Sequence, residues 1–277
     1  MSPAVALWTW LSPLLIVVGA GVLVLLERWR PYEPRQRVLR AGFWDDLIGY
    51  TFVQSYVLGL VIAHITGWLD HVTGLSRHHL VGAWPVPVQV LFFLVTHDFY
   101  IYCFHRLQHR SSLLWRIHEA HHATANVDWL SGSRSHALEI LINQTIEFAP
   151  ILLLGASPEV ALIKVTIDAL WGMYIHANVD VRSGRLQLVI NGPEMHRWHH
   201  AFEIKHGVNF STKLAFWDYL FRTAHRPTSK PMAYGLEEPF PAHYLAQQWH
   251  AFTKRQPTVT PATPSTIASL STDATSP

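Results

Sequence analysis

The sequence predicts an all-α integral membrane protein, a helical bundle whose cytoplasmic side carries a helical cap with a histidine-rich site for two metal ions. Three observations support this prediction. Charged residues make up only 14% of the 277 residues and hydrophobic residues 49%, whereas soluble domains have about 25% charged residues. Several apolar segments are long enough to cross a bilayer. Histidine occurs 19 times, and its positions are clustered.

Three segments are predicted to span the membrane. Residues 4–26 carry no charge and are long enough for a hydrocarbon core of about 30 Å. They lack the basic leading region and the small-residue cleavage site of a signal peptide, so we interpret them as a retained anchor. The second span covers about residues 47–69, and the third covers about residues 86–104.

A helical hairpin is predicted over residues 138–176. Its apolar pattern is interrupted by polar groups, which are costly in lipid: Asn143, Gln144, Glu147, Lys164 and Asp168. We therefore favour a hairpin that faces protein or enters the membrane only partway. Two complete spans remain the alternative.

The basic residues predict the orientation of the spans. The connection 70–85 holds only Arg77, whereas the connection 27–46 holds Arg28, Arg30, Arg35, Arg37 and Arg40. By the positive-inside rule, the first connection is cytoplasmic. The third span then returns to the cytoplasm just before the first histidine pair, and the hairpin returns to the same side. All histidine clusters are therefore expected at one site on the cytoplasmic face of a multi-pass protein.

The membrane-embedded domain is expected to cover residues 1–255. Residues 256–277 are rich in proline, serine and threonine, which predicts a disordered tail. Cys103 is the single cysteine, so the chain has neither an intrachain disulfide nor a multi-thiolate metal site. The net charge of +2 gives no indication of a nucleic-acid partner.

The histidines form three clusters, in which residues three or four apart share one face of a helix: His105 with His109; His118, His121 and His122; and His196, His199 and His200. Helix-start residues precede the last cluster, because Asn191 or Gly192 can cap and Pro193 suits the first turn. Eight imidazoles exceed the four ligands of one zinc site. They suit two metal ions with four or five ligands each, and His176 is a natural ninth ligand.

Three other interpretations account for fewer of these residues. His118-Glu119-x-x-His122 matches the zinc-peptidase motif, with Glu119 as general base, but a peptidase leaves His121 and the other clusters unexplained. A histidine-lined metal transporter would place its ligands inside the spans. A lipid-binding or structural protein would tolerate a broken cluster, and none is broken. Nitrogen ligands without carboxylate bridges favour iron, which can activate dioxygen, although the spacing alone does not distinguish iron from zinc.

These motifs resemble the fatty acid hydroxylase/sterol desaturase superfamily of membrane di-iron enzymes. The resemblance covers about residues 90–225. It is carried by the three clusters together with Asp98, Tyr102 and Arg106 around the first, Arg134, His136 and Glu139 after the second, and Asn178, Asn209, Phe210, Trp217, Asp218, Phe221 and Thr223 near the third.

The resemblance implies an enzyme that uses O2 to hydroxylate or desaturate a C–H bond of a lipid, such as a sterol, a fatty acyl chain, an alkylglycerol or a carotenoid. It also implies two iron ions as cofactor. We find no C-x-x-C pair and no glycine-rich dinucleotide fingerprint, so the electrons are expected from a separate reductase or electron carrier. A reduced pterin, as used by alkylglycerol-cleaving relatives, is a further candidate.

Imidazole ligands need partners for their second ring nitrogen. The candidates for that role, or for a place close to the ligands, are Asp98, Glu119, His136, Glu139, Asn178 and Asp218. For His136, a role as a tenth ligand is equally open. Some relatives have a histidine where this chain has Asp180, and three roles are open for it: a ligand, a partner of a ligand, or neither. His97, inside the third span, is expected to be a packed polar residue rather than a further ligand.

Overall fold

The computed structural model describes residues 2–204 and 207–253. Within these ranges the chain is helical, and two isolated β-bridges, Pro31 with Val179 and Ala201 with Tyr234, are the only extended pairings. The predicted all-α fold class is therefore confirmed. The predicted disordered tail, 256–277, lies outside the described residues.

Nine α-helices follow one another along the described chain. A π-helix, Asp45–Gln54, leads directly into the second of them. The α-helices are α1 (Pro3–Trp29), α2 (Ser55–Thr73), α3 (Val86–Gln108), α4 (Ser112–His122), α5 (Ala137–Leu153), α6 (Glu159–His176), α7 (Pro193–His199), α8 (Phe216–Leu220) and α9 (Tyr244–Thr253).

Among the residues that the structure describes, three helical segments are long and apolar enough to cross a membrane: α1, the π-helix with α2, and α3. They include the three predicted spans and extend beyond them. Helix α3 continues to Gln108 because the polar residues after position 104 end the apolar run without ending the helix. Helices α5 and α6 form the predicted hairpin, with 17 and 18 residues.

The hairpin lies between the three long helices. Helix α1 packs along α6, α2 packs along α5, and α3 contacts both helices of the hairpin. A hydrogen bond of 2.6 Å from Thr166 Oγ1 to Ser12 Oγ joins α6 to α1. Phe93 of α3, Ile151 of α5 and Val160 of α6 are buried in one apolar core. This core lies near the N-terminal ends of α3 and α6, whereas His105 and His176 lie near the C-terminal ends of the same helices.

The cap, which consists of α4, α7, α8, α9 and their loops, is held by a buried charge network. Arg40 donates to Asp46 at 2.6 Å and to Asp128 at 2.7 Å, and Arg134 donates to the second oxygen of Asp46 at 2.7 Å. Each buried charge therefore has an opposite partner, without which its burial would be strongly destabilising. The network joins the π-helix to the loop that follows α4.

Candidate metal centre

The nine predicted histidines lie together where α3, α4, α6 and α7 meet, and they form two groups. In each group, one ring nitrogen of every member lies within 4.8 Å of those of the others. The five-histidine group consists of His105, His109, His118, His122 and His199. The four-histidine group consists of His121, His176, His196 and His200. Each group is large enough for one transition-metal ion.

Each H-x-x-H-H motif contributes to both groups. On α4, His118 and His122 belong to the five-histidine group, whereas His121 belongs to the four-histidine group. On α7 and its C-terminal cap, His196 and His200 belong to the four-histidine group, whereas His199 belongs to the five-histidine group. Consecutive residues of a helix are about 100° apart, so neighbouring histidines 121 and 122 diverge. The shared helix face predicted that all imidazoles of a cluster point the same way, and this prediction is wrong for both H-x-x-H-H motifs.

The second ring nitrogens of four of these nine histidines are held by backbone carbonyls. The Nδ1 atoms lie 2.7–2.9 Å from their partner oxygens, and the pairs are His105 with Phe210, His121 with Arg134, His176 with Gly172, and His199 with Val208. Such partners fix the orientation and the tautomer of a metal ligand. With Nδ1–H donating to a carbonyl, the Nε2 atom carries a lone pair that faces the other histidines.

These inward nitrogens fit a bound cation. The Nε2 atoms of His105, His109 and His199 are buried and have no hydrogen-bond partner. The Nε2 atoms of His121 and His176 lie 3.3 Å apart, although both rings already donate through Nδ1. Two lone pairs without a proton between them are unfavourable in a buried site, and a metal ion between them removes this cost.

The protonation state of the cap histidines suits metal binding. Burial, followed by electrostatic repulsion from neighbouring imidazoles, holds the pKa well below its usual value for His118, His122, His196, His199 and His200. These rings are therefore neutral at pH 7, and neutral imidazole is the form that ligates metals.

Among the expected orienting carboxylates, Glu139 lies next to a histidine of the site. Its Oε1 atom lies 2.9 Å from Nδ1 of His118, and both side chains are buried. Glu119 is also buried, and its Oε2 atom lies 4.0 Å from Nε2 of His250. The pair of Glu139 and His118 is the arrangement that raises the basicity of a metal-ligating imidazole.

Asp98 and Asp218 were expected next to the imidazole rings, but they bind backbone N–H groups between α7 and α8. Asp98 accepts from the backbone N–H groups of Lys213 and Leu214 and from the indole N–H of Trp217. Asp218 accepts from the backbone N–H of Phe210 at 2.9 Å. Both aspartates therefore hold the loop between α7 and α8, whose Val208 and Phe210 carbonyls orient two histidines.

The remaining expected neighbours have other contacts. His136 caps α5, since its Nδ1 accepts from Leu138 N and its Nε2 donates to Gln248 O. Asn178 binds the backbone of Glu33. Asp180 belongs to neither histidine group and lies 3.6 Å from Arg182. Helix α6 ends at His176, so position 180 is no longer one helical turn beyond that ligand candidate.

Gly132 is a residue of the site that its sequence context does not reveal. A Cβ atom at this position would lie 2.7 Å from Nδ1 of His176 and 2.9 Å from the Gly172 carbonyl that this nitrogen binds. Only a residue without a side chain leaves room for the His176 ring. A glycine in a serine-rich loop looks like an ordinary turn residue, and nothing else in the sequence distinguishes it.

Two cavities border the histidines, and no histidine lines both of them. The inner cavity, of about 220 Å³, lies between α3, α5 and α6 and is bordered by His105, His118, His121, His176 and His196. The outer cavity, of about 300 Å³, is bordered by His109, His122, His199 and His200, with Trp115 and Phe202. The histidines thus separate the two spaces.

Comparison with known proteins shows the family of the chain. The family model described as fatty acid hydroxylase matches residues 90–223. The ornithine lipid hydroxylase OlsE of Rhizobium tropici is 30% identical over 246 residues, which are 85% of this chain and 73% of that protein. The chain belongs to the fatty acid hydroxylase family. The resemblance inferred from the histidine motifs is therefore confirmed.

Other curated proteins are similar to the chain over shorter stretches. Human alkylglycerol monooxygenase is 29% identical over 165 residues, which are 56% of this chain but only 36% of that protein. A very-long-chain aldehyde decarbonylase of rice, GL1-8, is 31% identical over 152 residues, which are 50% of this chain and 53% of that protein. No solved structure matches the chain.

The carboxylate of Glu139 is expected to strengthen metal binding by His118. Glu139→Gln keeps an acceptor oxygen but removes the negative charge, so we expect the affinity of the protein for metal to fall about 10-fold. Competition with a chelator of known affinity measures this. Glu159→Gln makes the same change in the first turn of α6, outside the site, and should leave the affinity unchanged. Equal affinities in both variants would remove Glu139 from the site.

Proposed function

We propose that this protein is a membrane-bound oxygenase that hydroxylates or desaturates a C–H bond of a lipid, with two iron ions held by the nine histidines. The observation that carries the proposal is the pair of histidine groups, whose buried Nε2 atoms face one another. The similarity to a lipid hydroxylase over 85% of the chain supports the same activity.

Each histidine group would hold one ion. A neutral set of imidazoles suits iron, and iron bound there would supply the chemistry of O2 activation. The residues of the chain keep the ligands neutral by burial and fix the Nδ1–H groups of four of them on backbone carbonyls. In a hydroxylation, one oxygen atom of O2 enters the C–H bond and the other leaves as water, which consumes two electrons and two protons.

The inner cavity is the proposed place of the lipid carbon. It is bordered by histidines of both groups and by apolar residues of α3, α5 and α6, namely Ile101, Phe104, Ile140 and Ile175. Ligand sites usually combine such an apolar lining with a few polar groups. The relatives named as acting on ornithine lipid and alkylglycerol support a lipid substrate.

The electrons are proposed to enter through the outer cavity. The outer cavity borders His109, His122, His199 and His200, so an electron donor at this face would lie next to the ligands without competing with the lipid. A separate reductase or electron carrier, or a reduced pterin, would serve. The arginines of residues 27–46 support a cytoplasmic position for this face.

The peptidase interpretation fits the site less well. His118 and His122 have the spacing of a zincin, but they lie with His105, His109 and His199 in one group. A catalytic zinc site has three protein ligands and an open position for water. Five converging imidazoles leave less room for such a water, and the peptidase motif does not account for the four-histidine group.

Lipid analysis with labelled oxygen tests the proposed function. Membranes that contain the iron-loaded protein, an electron donor and 18O2 are expected to yield a lipid carrying one labelled oxygen atom or, for desaturation, one double bond more than before. The His121→Ala variant should yield neither product. Complete absence of such products with the wild-type protein, at full metal content and with several donors, would contradict the proposal.

A further inference from the structure

A buried cluster of charged residues lies at the inner cavity. Glu147 on α5 and Lys164 and Asp168 on α6 are its centre. The Lys164 ammonium lies 2.6 Å from an oxygen of each carboxylate, and Lys213 from the loop before α8 lies 2.8 Å from the other oxygen of Asp168. His97 on α3 completes the cluster at 3.1 Å from Lys164.

This cluster is not a third metal site. The side chains of His97, Glu147 and Asp168 have the spacing of three metal ligands. However, the ammonium of Lys164 already contacts all three, and its side chain is 0% exposed. The lysine therefore supplies the positive charge that a metal ion would otherwise provide.

The charged cluster borders the inner cavity. Glu147, Asp168, Lys213 and His97 border the inner cavity together with the histidines, whereas Lys164 does not. The His97 side chain is only 9% exposed, and its Nε2 atom makes no hydrogen bond. The indole N–H of Trp171, which also borders the cavity, likewise lacks a partner. Buried polar atoms without partners are rare, because each costs free energy, and these two indicate a polar ligand.

The size of the inner cavity limits what it can hold. At about 220 Å³, it is smaller than the roughly 300–1,000 Å³ of ordinary ligand pockets, so a whole lipid does not fit. A second cavity of about 380 Å³, the apolar cavity, is bordered by Ile62 of α2, Phe148 and Ile151 of α5, and Ala161 of α6. Gln144 borders both cavities, so an amphiphile can extend across this residue.

We propose that the inner cavity binds the zwitterionic headgroup of a lipid while the apolar cavity takes its chain, so that the oxidised carbon lies in or next to the headgroup. This inference rests on the proposed function. Carboxylates and an ammonium border the same small space, so an amine of the headgroup can pair with Glu147 or Asp168 and an acidic group with Lys213. Histidines of both groups border that space, which brings the headgroup to the reaction site.

The position of the incorporated oxygen tests the proposal. Tandem mass spectrometry of the 18O-labelled product is expected to place the label in the headgroup fragment or on the carbon next to it. A label in the middle or at the end of the chain would overturn the headgroup assignment while leaving the oxygenase function intact. If no lipid gains oxygen or a double bond, the proposed function itself fails, so the two failures are distinguishable.

A binding measurement without metal provides a second test. Native mass spectrometry of the metal-free protein compares phosphatidylethanolamine, which is zwitterionic, with diacylglycerol, which has no charge. Lys213→Met is expected to weaken binding of phosphatidylethanolamine at least 10-fold and leave diacylglycerol unaffected, whereas Lys213→Arg keeps the charge and most of the binding. Glu147→Gln should act like Lys213→Met, with Glu159→Gln as its matched control. Equal binding of both lipids by the wild type, or equal losses in both Lys213 variants, would overturn the proposal.

Discussion

His121→Ala is expected to lower the metal content of the purified protein from two ions to about one per chain, whereas His109→Ala should retain nearly two. The reason is the unequal size of the groups. Removing His121 leaves three histidines in the four-histidine group, and removing His109 leaves four in the five-histidine group. Four protein ligands complete a closed site, whereas three leave an open position. Metal analysis of both variants measures the difference.

The activity of His121→Ala should fall by at least about 100-fold, because even a partner of a ligand is worth 10- to 100-fold in affinity or activity. His136→Ala provides the control. His136 is also a buried histidine, but it caps α5 and belongs to neither group, so its removal should leave the metal content unchanged. If His109→Ala and His121→Ala lost the same amount of metal, the assignment of the nine histidines to two unequal groups would be wrong.

Gly132→Ala is expected to remove the metal ion of the four-histidine group without changing any ligand. The new methyl group would lie 2.7 Å from Nδ1 of His176, closer than van der Waals contact permits. The ring must therefore move and lose its hydrogen bond to the Gly172 carbonyl. We expect a loss of about one ion per chain and a destabilisation of about 1–3 kcal/mol from overpacking. Metal analysis and thermal denaturation measure the two effects.

Gly67→Ala is the matched control for Gly132→Ala. A Cβ atom at Gly67 meets nothing within 4 Å, and alanine is favoured over glycine in a helix by about 1 kcal/mol. This variant should keep both metal ions and be no less stable than the wild type. A Gly132→Ala protein with full metal content would show that His176 is not needed in its present position.

The helices could be predicted because each depends on a local pattern. Long apolar runs identified α1, α2 and α3, and the polar residues within 138–176 indicated a hairpin among protein neighbours. In the structure these polar residues do face protein, because Lys164 pairs with Glu147 and Asp168 inside the bundle. The start of α7 at Pro193, with Gly192 as its cap, also follows from residue types that favour helix starts.

The partners within the site could not be predicted, because they depend on tertiary contacts. Four histidines bind backbone carbonyls. Every residue has such a carbonyl, and only the fold determines which one lies next to a histidine. The residue types in the sequence favour carboxylates as partners, and one of these, Glu139, lies next to His118 in the structure. The sequence likewise does not show that position 132 must lack a side chain. His176, which occupies the adjacent space, is 44 residues away along the chain.

Metal analysis of the detergent-purified wild-type protein, produced in iron-replete cells, tests the central claim most directly. Two histidine groups with inward-facing nitrogens predict about two iron ions per chain. A single tightly bound zinc ion per chain, retained after His199→Ala, would contradict the two-metal assignment and favour the peptidase interpretation.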